Sequence, residues 1–263
     1  MASVREVEAA AATLYSNGNV AAALRLYDAL LAAFPLFVDV RLRVADCLAR
    51  INHPGAAAAY RATGLYAVKA GRPLVGLVAA RALEATGHDA SDVSASLVAH
   101  YGSESGMTGK FAARIANPDD QASVNPPDLH SAAAPDLADQ AARRATHCTD
   151  GFTDWPEVLH PIPLLSSLSE DALRRVLAAL TVKRLPRGSM VIREGEPGHA
   201  FFLIAGGELR VFATDGLGRN TELARLRENA VFGEMALLSA QPRSASVEAL
   251  TDADVVELGR QAL

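Results

Sequence analysis

The chain has 263 residues, of which 50% are apolar and 21% are charged, and its formal net charge is −5. That length allows one large domain or two smaller ones with their own cores, and this charged fraction is typical of a globular chain rather than a disordered one. The acidic balance argues against a nucleic-acid-binding surface, although it leaves room for one locally positive pocket that binds a small anion.

The two cysteines, Cys47 and Cys148, lie far apart, and no histidine stands at metal-ligand spacing from them. We therefore expect two reduced thiols in a reducing compartment, and no metal site. The N-terminus lacks a cationic start followed by an apolar run, and no stretch reaches about 18 uncharged apolar residues. We accordingly expect a cytoplasmic protein with neither a membrane nor a nucleic acid as partner.

Residues 1–102 have the period of amphipathic helices. From Val20 to Phe34 the apolar residues recur at the i, i+3, i+4 and i+7 steps, and Pro35 closes this helix. Turn residues separate the segments and predict six helices. They are Ser3–Ser16, Val20–Phe34, Leu36–Ile51, Ala56–Ala70, a fifth that follows Gly71-Arg72-Pro73 and ends near Thr86, and Ser91–Tyr101.

The first helix pair resembles a tetratricopeptide repeat. Gly18 lies at the turn, Ala23 and Tyr27 lie at the small and aromatic positions of that family, and Pro35 ends the unit. The resemblance fades in the second pair, where Arg61 takes the aromatic position. Repeated helix pairs predict an α-solenoid that binds a protein partner, with an ordinary small helical bundle as the alternative.

Residues 103–158 lose the apolar period and are rich in proline and small polar residues. One short helix is predicted, from about Asp136 to Ala145. Because loops of about 50 residues are uncommon inside a compact domain, we interpret this segment as a flexible linker. Trp155, the only tryptophan, is expected to pack the linker onto a domain rather than bind a ligand.

Residues 159–263 begin with a predicted helix from Glu170 to about Leu180, which Ser169 can cap. The apolar period then changes to two. Short runs such as Met190–Ile192, Phe201–Ile204 and Leu209–Phe212 are bounded by glycines, which predicts a β-roll or jelly roll. The fold class is therefore α+β multidomain, with an N-terminal helical repeat and a C-terminal β-roll.

The segment from Val231 to Val247 carries the chemistry. Gly233 lets a ligand approach the backbone, and a predicted helical turn from Glu234 to Leu238 presents free N–H groups that favour an anion. Arg243 can meet a phosphate with its planar fork of donors. Glu234 beside an anion makes sense if it accepts hydrogen bonds from a hydroxyl, such as a ribose 2′-hydroxyl.

This segment resembles the phosphate-binding cassette of cyclic-nucleotide-binding domains, as in catabolite activator protein and the protein kinase A regulatory subunit. The matching positions are Phe232, Gly233, Glu234, Met235, Ala236, Leu237, Arg243, Ser244 and Ala245. The resemblance implies a phosphate site made of the backbone of Gly233, Glu234 and Met235 with the side chains of Arg243 and Ser244. It also implies that Glu234 binds the ribose 2′-hydroxyl. The base pocket would be lined by Val211, Leu223 and Ala224.

Two features depart from that family. Asn229 replaces a glycine that often precedes the cassette, but asparagine tolerates positive φ better than other non-glycine residues. The chain also ends at Leu263, soon after the predicted strand Val255–Leu258, where the family continues with hinge and lid helices. We therefore expect either a fragment or a lid supplied from elsewhere, which leaves cAMP versus cGMP open.

The leading interpretation is a cyclic-nucleotide sensor, and not an enzyme, that couples ligand binding in the roll to a protein partner of the helical repeats. One alternative is a scaffold protein whose roll no longer binds, with Arg243 in a surface ion pair with Glu234. Another is a fragment of a cAMP-responsive transcription regulator. A metal-dependent enzyme on a cupin-like barrel would need paired histidines on strands, and only His199 lies in the roll.

Overall fold

The computed structural model describes residues 1–131, 134–235 and 241–260, and the chain divides into two compact units, Met1–Pro161 and Ile162–Leu263. The predicted domains were 1–102 and 159–263 with a linker between them, and those exact limits stay a prediction. None of the described helices is long and apolar enough to cross a membrane.

The first unit opens with a two-residue strand and six helices in succession. They are β1 Ala2–Ser3, α1 Val4–Ser16, α2 Val20–Ala33, α3 Val38–Arg50, α4 Ala56–Lys69, α5 Pro73–Ala85 and α6 Ser91–Tyr101. Each helix contacts the next one, and α6 also contacts α4. The six predicted helices are confirmed with ends that differ by two residues at most, whereas the tetratricopeptide and solenoid assignments stay predictions.

Local chemistry explains where these helices begin. Ser3 accepts a hydrogen bond from the backbone N–H of Glu6, whose carboxylate accepts one from the backbone N–H of Ser3, and this capping box starts α1. The side-chain oxygen of Asn19 accepts a hydrogen bond from the backbone N–H of Ala22 and so caps α2. Pro73 is the first residue of α5, where its missing N–H costs no hydrogen bond.

Residues 103–158 differ from the predicted linker, because they belong to the first compact unit. They contain β2 Thr108–Ala113, β3 Ser123–Val124 and α7 Leu137–His147. β3 pairs with β1, and α7 packs on α2, α3 and α4. The sequence conceals this packing because the buried face of α7 consists only of alanines, Ala141, Ala142 and Ala145.

Trp155 has the role that the sequence predicts. Its ring meets the ring of Tyr66 on α4 edge-on at 5.7 Å, and the Nζ of Lys69 lies 5.7 Å from the tryptophan ring centre. Phe152 packs against the same indole at 5.0 Å. The tryptophan therefore holds the end of this segment on the helices.

The second unit begins with two helices, α8 Pro163–Ser166 and α9 Glu170–Ala179, and Ser169 caps α9 as predicted. Eight strands follow in the part of this unit that the structure describes. They are β4 Thr181–Leu185, β5 Met190–Ile192, β6 Ala200–Gly206, β7 Leu209–Thr214, β8 Asn220–Leu226, β9 Val231–Phe232, β10 Ser246–Ala249 and β11 Ala253–Gly259. They form two antiparallel four-stranded sheets, in the orders β5-β10-β7-β8 and β4-β11-β6-β9, which confirms a β-roll.

The core of the roll lies between the two sheets. Buried residues of both sheets pack in one cluster: Phe202, Ile204, Phe232 and Val255 from one, and Ile192, Leu209, Val247 and Ala249 from the other. Directly paired residues share a face of a sheet, and Phe202 pairs with both Phe232 and Glu257. Glu257 is therefore a carboxylate on the inner face, near one end of the core.

Candidate functional site

The site begins where β9 ends. Gly233 follows the buried Phe232 and has a φ of +82°, a conformation that glycine adopts without steric cost. A Cβ built on Gly233 would lie 2.7 Å from Nη1 of Arg243 and 3.1 Å from Ile192. The absence of a side chain at Gly233 therefore makes room for Arg243.

Arg243 is the buried cation of this site. Only 9% of the residue is exposed. Its Nη1 donates to the carbonyl of Gly233 at 2.6 Å, and its Nη2 donates to the carbonyl of Ala200 at 2.7 Å. The guanidinium carbon lies 5.8 Å from the ring centre of Phe202, close enough for a cation–π attraction.

The backbone of Arg243 is held as well. Its N–H donates to the carbonyl of Glu196 at 2.8 Å, and its carbonyl accepts from the N–H of Gly195 at 2.8 Å. This pair of bonds joins the segment before β10 to the turn after β5. The guanidinium is thus aimed from a fixed backbone, as an anion-binding side chain requires.

Several charges act on Arg243. Burial lowers the pKa of its guanidinium, and the carboxylates of Glu257, Glu196 and Glu234 act in the opposite direction. Glu257 is itself paired with Lys183, whose Nζ lies 2.8 Å from the carboxylate. Arg243 therefore keeps its positive charge, and its two side-chain acceptors are carbonyl oxygens that carry only partial charge.

The alternative role of Arg243, a surface ion pair with Glu234, does not describe this arginine. Its side chain is buried, and its terminal nitrogens donate to two backbone carbonyls. Arg243 is buried because its guanidinium lies between Gly233 and Ala200, whose carbonyls it binds.

The other predicted phosphate residues are less enclosed. Glu234 is half-buried, while Met235 is 61% exposed and Ser244 is also exposed. The predicted helical turn begins at Glu234 and Met235. Its continuation at Ala236, Leu237 and Leu238 lies outside the described residues.

The three residues predicted to line the base pocket meet on the β7–β8 hairpin. Val211 pairs with Ala224, and Val211 packs against the core of the roll. Leu223 falls at a shift in register, between the Val211–Ala224 pair and the next one, and it is 57% exposed. β8 is one of the two edge strands of its sheet. The structure thus brings Val211 and Ala224 together on one sheet, while Gly233 follows β9 of the other sheet.

Asn229 confirms the expectation for the turn before the cassette. Its φ is +67°, and its N–H donates to the carbonyl of Ile204 at 2.9 Å. Asparagine thus adopts the left-handed conformation for which the family often uses glycine.

Sequence reasoning missed Glu257 and Phe202 as neighbours of Arg243, and Lys183 as the ion-pair partner of Glu257. The alternation of β11 contained a signal for one of them, because Glu257 stands two residues after the buried Val255 and so shares its inward face. Among the described residues, no group of three or more His, Cys, Asp or Glu side chains could hold a metal ion.

Residues 182–263 match the family model of the cyclic nucleotide-binding domain. The cAMP-dependent protein kinase regulatory subunit of Aspergillus fumigatus is 43% identical over 102 residues, which are 39% of this chain and 24% of that protein. The regulatory subunit of Emericella nidulans is 39% identical over the same shares. The crystal structure of Thermus thermophilus catabolite activator protein aligns at 33% identity over 38% of this chain and 47% of that chain, with a TM-score of 0.35.

The C-terminal unit thus contains a cyclic nucleotide-binding domain, and its sequence relatives are regulatory subunits of a protein kinase. The chain spans about a quarter of the length of those relatives. The resemblance predicted for the roll is confirmed, whereas that of the helical repeats stays a prediction.

Proposed function

We propose that the second unit binds a cyclic nucleotide and that the chain is a sensor of it, not an enzyme. The observation that carries this proposal is the buried Arg243 against the left-handed Gly233, inside a region that matches the cyclic nucleotide-binding family. The names of the curated relatives make cAMP the first ligand to test, and cGMP the second.

In this proposal the phosphate takes the place of one carbonyl acceptor of Arg243. The bonds from Arg243 to carbonyl oxygens are charge-assisted through the donor alone, whereas a phosphate oxygen is an ionised acceptor as well, so the exchange of a carbonyl for a phosphate oxygen is favourable. The backbone N–H groups of Glu234 and Met235 and the hydroxyl of Ser244 complete the phosphate site. The Glu234 carboxylate accepts from the ribose 2′-hydroxyl, and the β7–β8 hairpin contacts the base.

Calorimetric titration of cAMP and of cGMP into the purified chain tests this proposal. Arg243→Ala should weaken binding by about 100-fold, because it removes charge-assisted bonds worth about 3 kcal/mol. Arg219→Ala is the matched control, since the Arg219 side chain is 74% exposed and pairs only locally with Asp215. Equal affinity of the wild type and Arg243→Ala would contradict the assigned phosphate site.

A second candidate is a scaffold protein whose roll does not bind nucleotide. The observation that favours it is that both terminal nitrogens of Arg243 already have backbone acceptors, so the arginine can serve the fold alone. In that case neither nucleotide gives a heat of binding, and Arg243→Ala only lowers the free energy of unfolding of the roll. Denaturant unfolding of both proteins, followed beside the titrations, separates the two candidates.

We further propose that the helical unit binds a protein partner and that nucleotide in the roll changes its affinity. The relatives are regulatory subunits of a protein kinase, which makes a kinase catalytic subunit one partner to test. Coupling means that partner and nucleotide change each other's affinity by the same factor. Titration of the nucleotide with and without a saturating partner measures that factor, and a factor of one would contradict the coupling.

A further inference from the structure

Arg41 on α3 is a buried cation whose hydrogen bonds go to another helix. Its exposed fraction is 1%. Its Nε donates to the carbonyl of Ala145 at 2.5 Å and its Nη2 to the carbonyl of Thr146 at 3.0 Å. Its Nη1 donates to the hydroxyl of Thr149 at 2.9 Å. Arg41 therefore binds the C-terminal end of α7, where helix carbonyls lack partners of their own.

The contact between α7 and its neighbours is close but offers little apolar surface. α7 buries Ala141, Ala142 and Ala145, which have the smallest apolar side chains. A Cβ built on Gly55, at the start of α4, would lie 2.8 Å from the Cβ of Ala142. The missing side chain of Gly55 therefore creates the space in which α7 lies.

Two polar contacts at the rim add to the docking of α7. Nε of Arg144 lies 2.8 Å from the carboxylate of Asp28 on α2. The ring Nε2 of His53 lies 3.1 Å from the carboxylate of Asp139, while its Nδ1 accepts from the N–H of Gly55. The surface on α2, α3 and α4 thus has three features. The buried guanidinium of Arg41 donates to the carbonyls of a helix end, a shallow depression accommodates alanine side chains, and charged groups lie at its edge.

We propose that this surface is a receptor for a short helix and that α7 is its resident ligand, which a partner helix of the same pattern replaces. The pattern is alanine at the positions of Ala141, Ala142 and Ala145, an acidic residue at the position of Asp139, and a C-terminal end that faces Arg41. α7 lies between α6 and the second unit in sequence, so a change in the second unit can act on it through the chain.

The chemistry of the contact supports exchange. Buried alanines contribute little hydrophobic stabilisation, so α7 holds its place mainly by polar groups and by its tether, which keeps its local concentration high. Arg41, in contrast, requires acceptors, because a buried guanidinium without them is strongly unfavourable. The receptor therefore favours an occupant, and any helix that offers the same acceptors competes with α7.

The test uses the full chain with its own α7 disabled by Ala141→Glu and Ala145→Glu. A fluorescent peptide of residues 136–150, with Cys148→Ser, should bind this variant at least tenfold more tightly than it binds the wild type, as measured by anisotropy. Arg143→Glu is the matched control, since it puts a carboxylate on the exposed side of the same helix. In this variant α7 should stay on the receptor, and the peptide should bind as weakly as it binds the wild type. A peptide that binds the disabled variant no better than the wild type would overturn the proposal.

Arg41 is tested in the same disabled variant. Arg41→Met should abolish peptide binding while the helical signal in circular dichroism is retained. If the Arg41→Met variant loses its helical signal, Arg41→Lys is used instead. Lysine keeps the charge but cannot donate to three acceptors in one plane, so peptide binding should fall at least tenfold. Unchanged binding in a folded Arg41 variant would contradict the assigned receptor.

Hydrogen exchange of the α7 amides gives a readout that does not need the peptide. Gly55→Ala should speed exchange across 137–147 at least tenfold. The added substitution Ala142→Gly removes the 2.8 Å contact and should slow exchange again in part, because the new Cβ would still lie 3.1 Å from Nδ1 of His53. If Ala142→Gly did not slow the exchange of the α7 amides at all, the close contact between Gly55 and Ala142 would not be what holds α7 on this surface. These experiments use no nucleotide, so they stand or fall separately from ligand binding in the roll.

Discussion

At the scale of single residues, the roll depends on a glycine and an arginine that are ten positions apart in sequence. Gly233 provides the left-handed turn and leaves the volume that the Arg243 side chain fills. A substitution at Gly233 therefore changes two things together, the backbone conformation and the place of the guanidinium.

Gly233→Ala should abolish nucleotide binding and destabilise the roll. The left-handed conformation costs a non-glycine residue about 1–2 kcal/mol, and the new Cβ would lie 2.7 Å from Nη1 of Arg243. Titration calorimetry and urea unfolding measure the two effects. Gly216→Ala is the control, because nothing lies within 4 Å of a Cβ built there and its φ is outside the left-handed range. Normal binding by Gly233→Ala would refute the role of this turn.

At the scale of elements, a polar network joins α3, the residue before α5 and the loop before β3. Arg72, which is 4% exposed, pairs with Asp39 at 3.0 Å and donates to Asn117 at 2.6 Å. Glu8 on α1 lies among these charges. Burial raises the pKa of the Glu8 carboxyl from 4.5 to about 7, and the carboxylates of Asp39 and Asp120 add to that effect.

This raised pKa predicts a pH dependence of stability. The folded state holds the Glu8 proton more tightly than the unfolded state, so the contribution is fully present below about pH 4.5 and is lost as the pH rises through about 7. Glu8→Gln removes the ionisation, and its melting temperature should exceed that of the wild type at pH 8 but match it near pH 4. Thermal melts across this range test it.

The control for that experiment is Glu104→Gln, at an exposed position in the loop after α6. It should change the melting temperature little at either pH. A Glu8→Gln variant that is no more stable than the wild type at pH 8 would mean that the Glu8 carboxylate is not penalised in the folded protein.

At the scale of the whole molecule, the chain consists of two compact units that each have their own core. The nucleotide site that we propose lies entirely in the second unit. Ligand binding should therefore stabilise the second unit directly, and the first unit only to the extent that the two are coupled.

Saturating cAMP should raise the free energy of unfolding of the second unit by about 2.7 kcal/mol at a free ligand concentration about 100 times the Kd. Hydrogen exchange resolved by peptide measures this for each unit separately. Protection should appear in 182–260 and be absent in Arg243→Ala. Protection confined to the helical unit would contradict a binding site in the roll.

Much of this architecture could be predicted from the sequence, because its signals are local. The helix ends follow from residues such as Ser3, Gly18 and Pro73, which cap, turn or begin helices through contacts with near neighbours. The turn at Asn229 and the cassette around Gly233 were identified by their resemblance to a known family, whose motif is local in sequence. In such features the interacting groups are separated by only a few residues, so the order of residues along the chain is enough to predict them.

Tertiary structure alone decided which polar groups meet over long distances. Arg41 binds the carbonyl of a residue 104 positions away, and the guanidinium of Arg243 reaches the carbonyl of Ala200, 43 positions away. The alanine face of α7 gave almost no hydrophobic signal, so its segment resembled a linker until its packing was known. The sequence by itself thus determined most of the elements and the residue types of the cassette. The fold determined what each buried charge binds, because burial depends on the surrounding elements and not on neighbours in the chain.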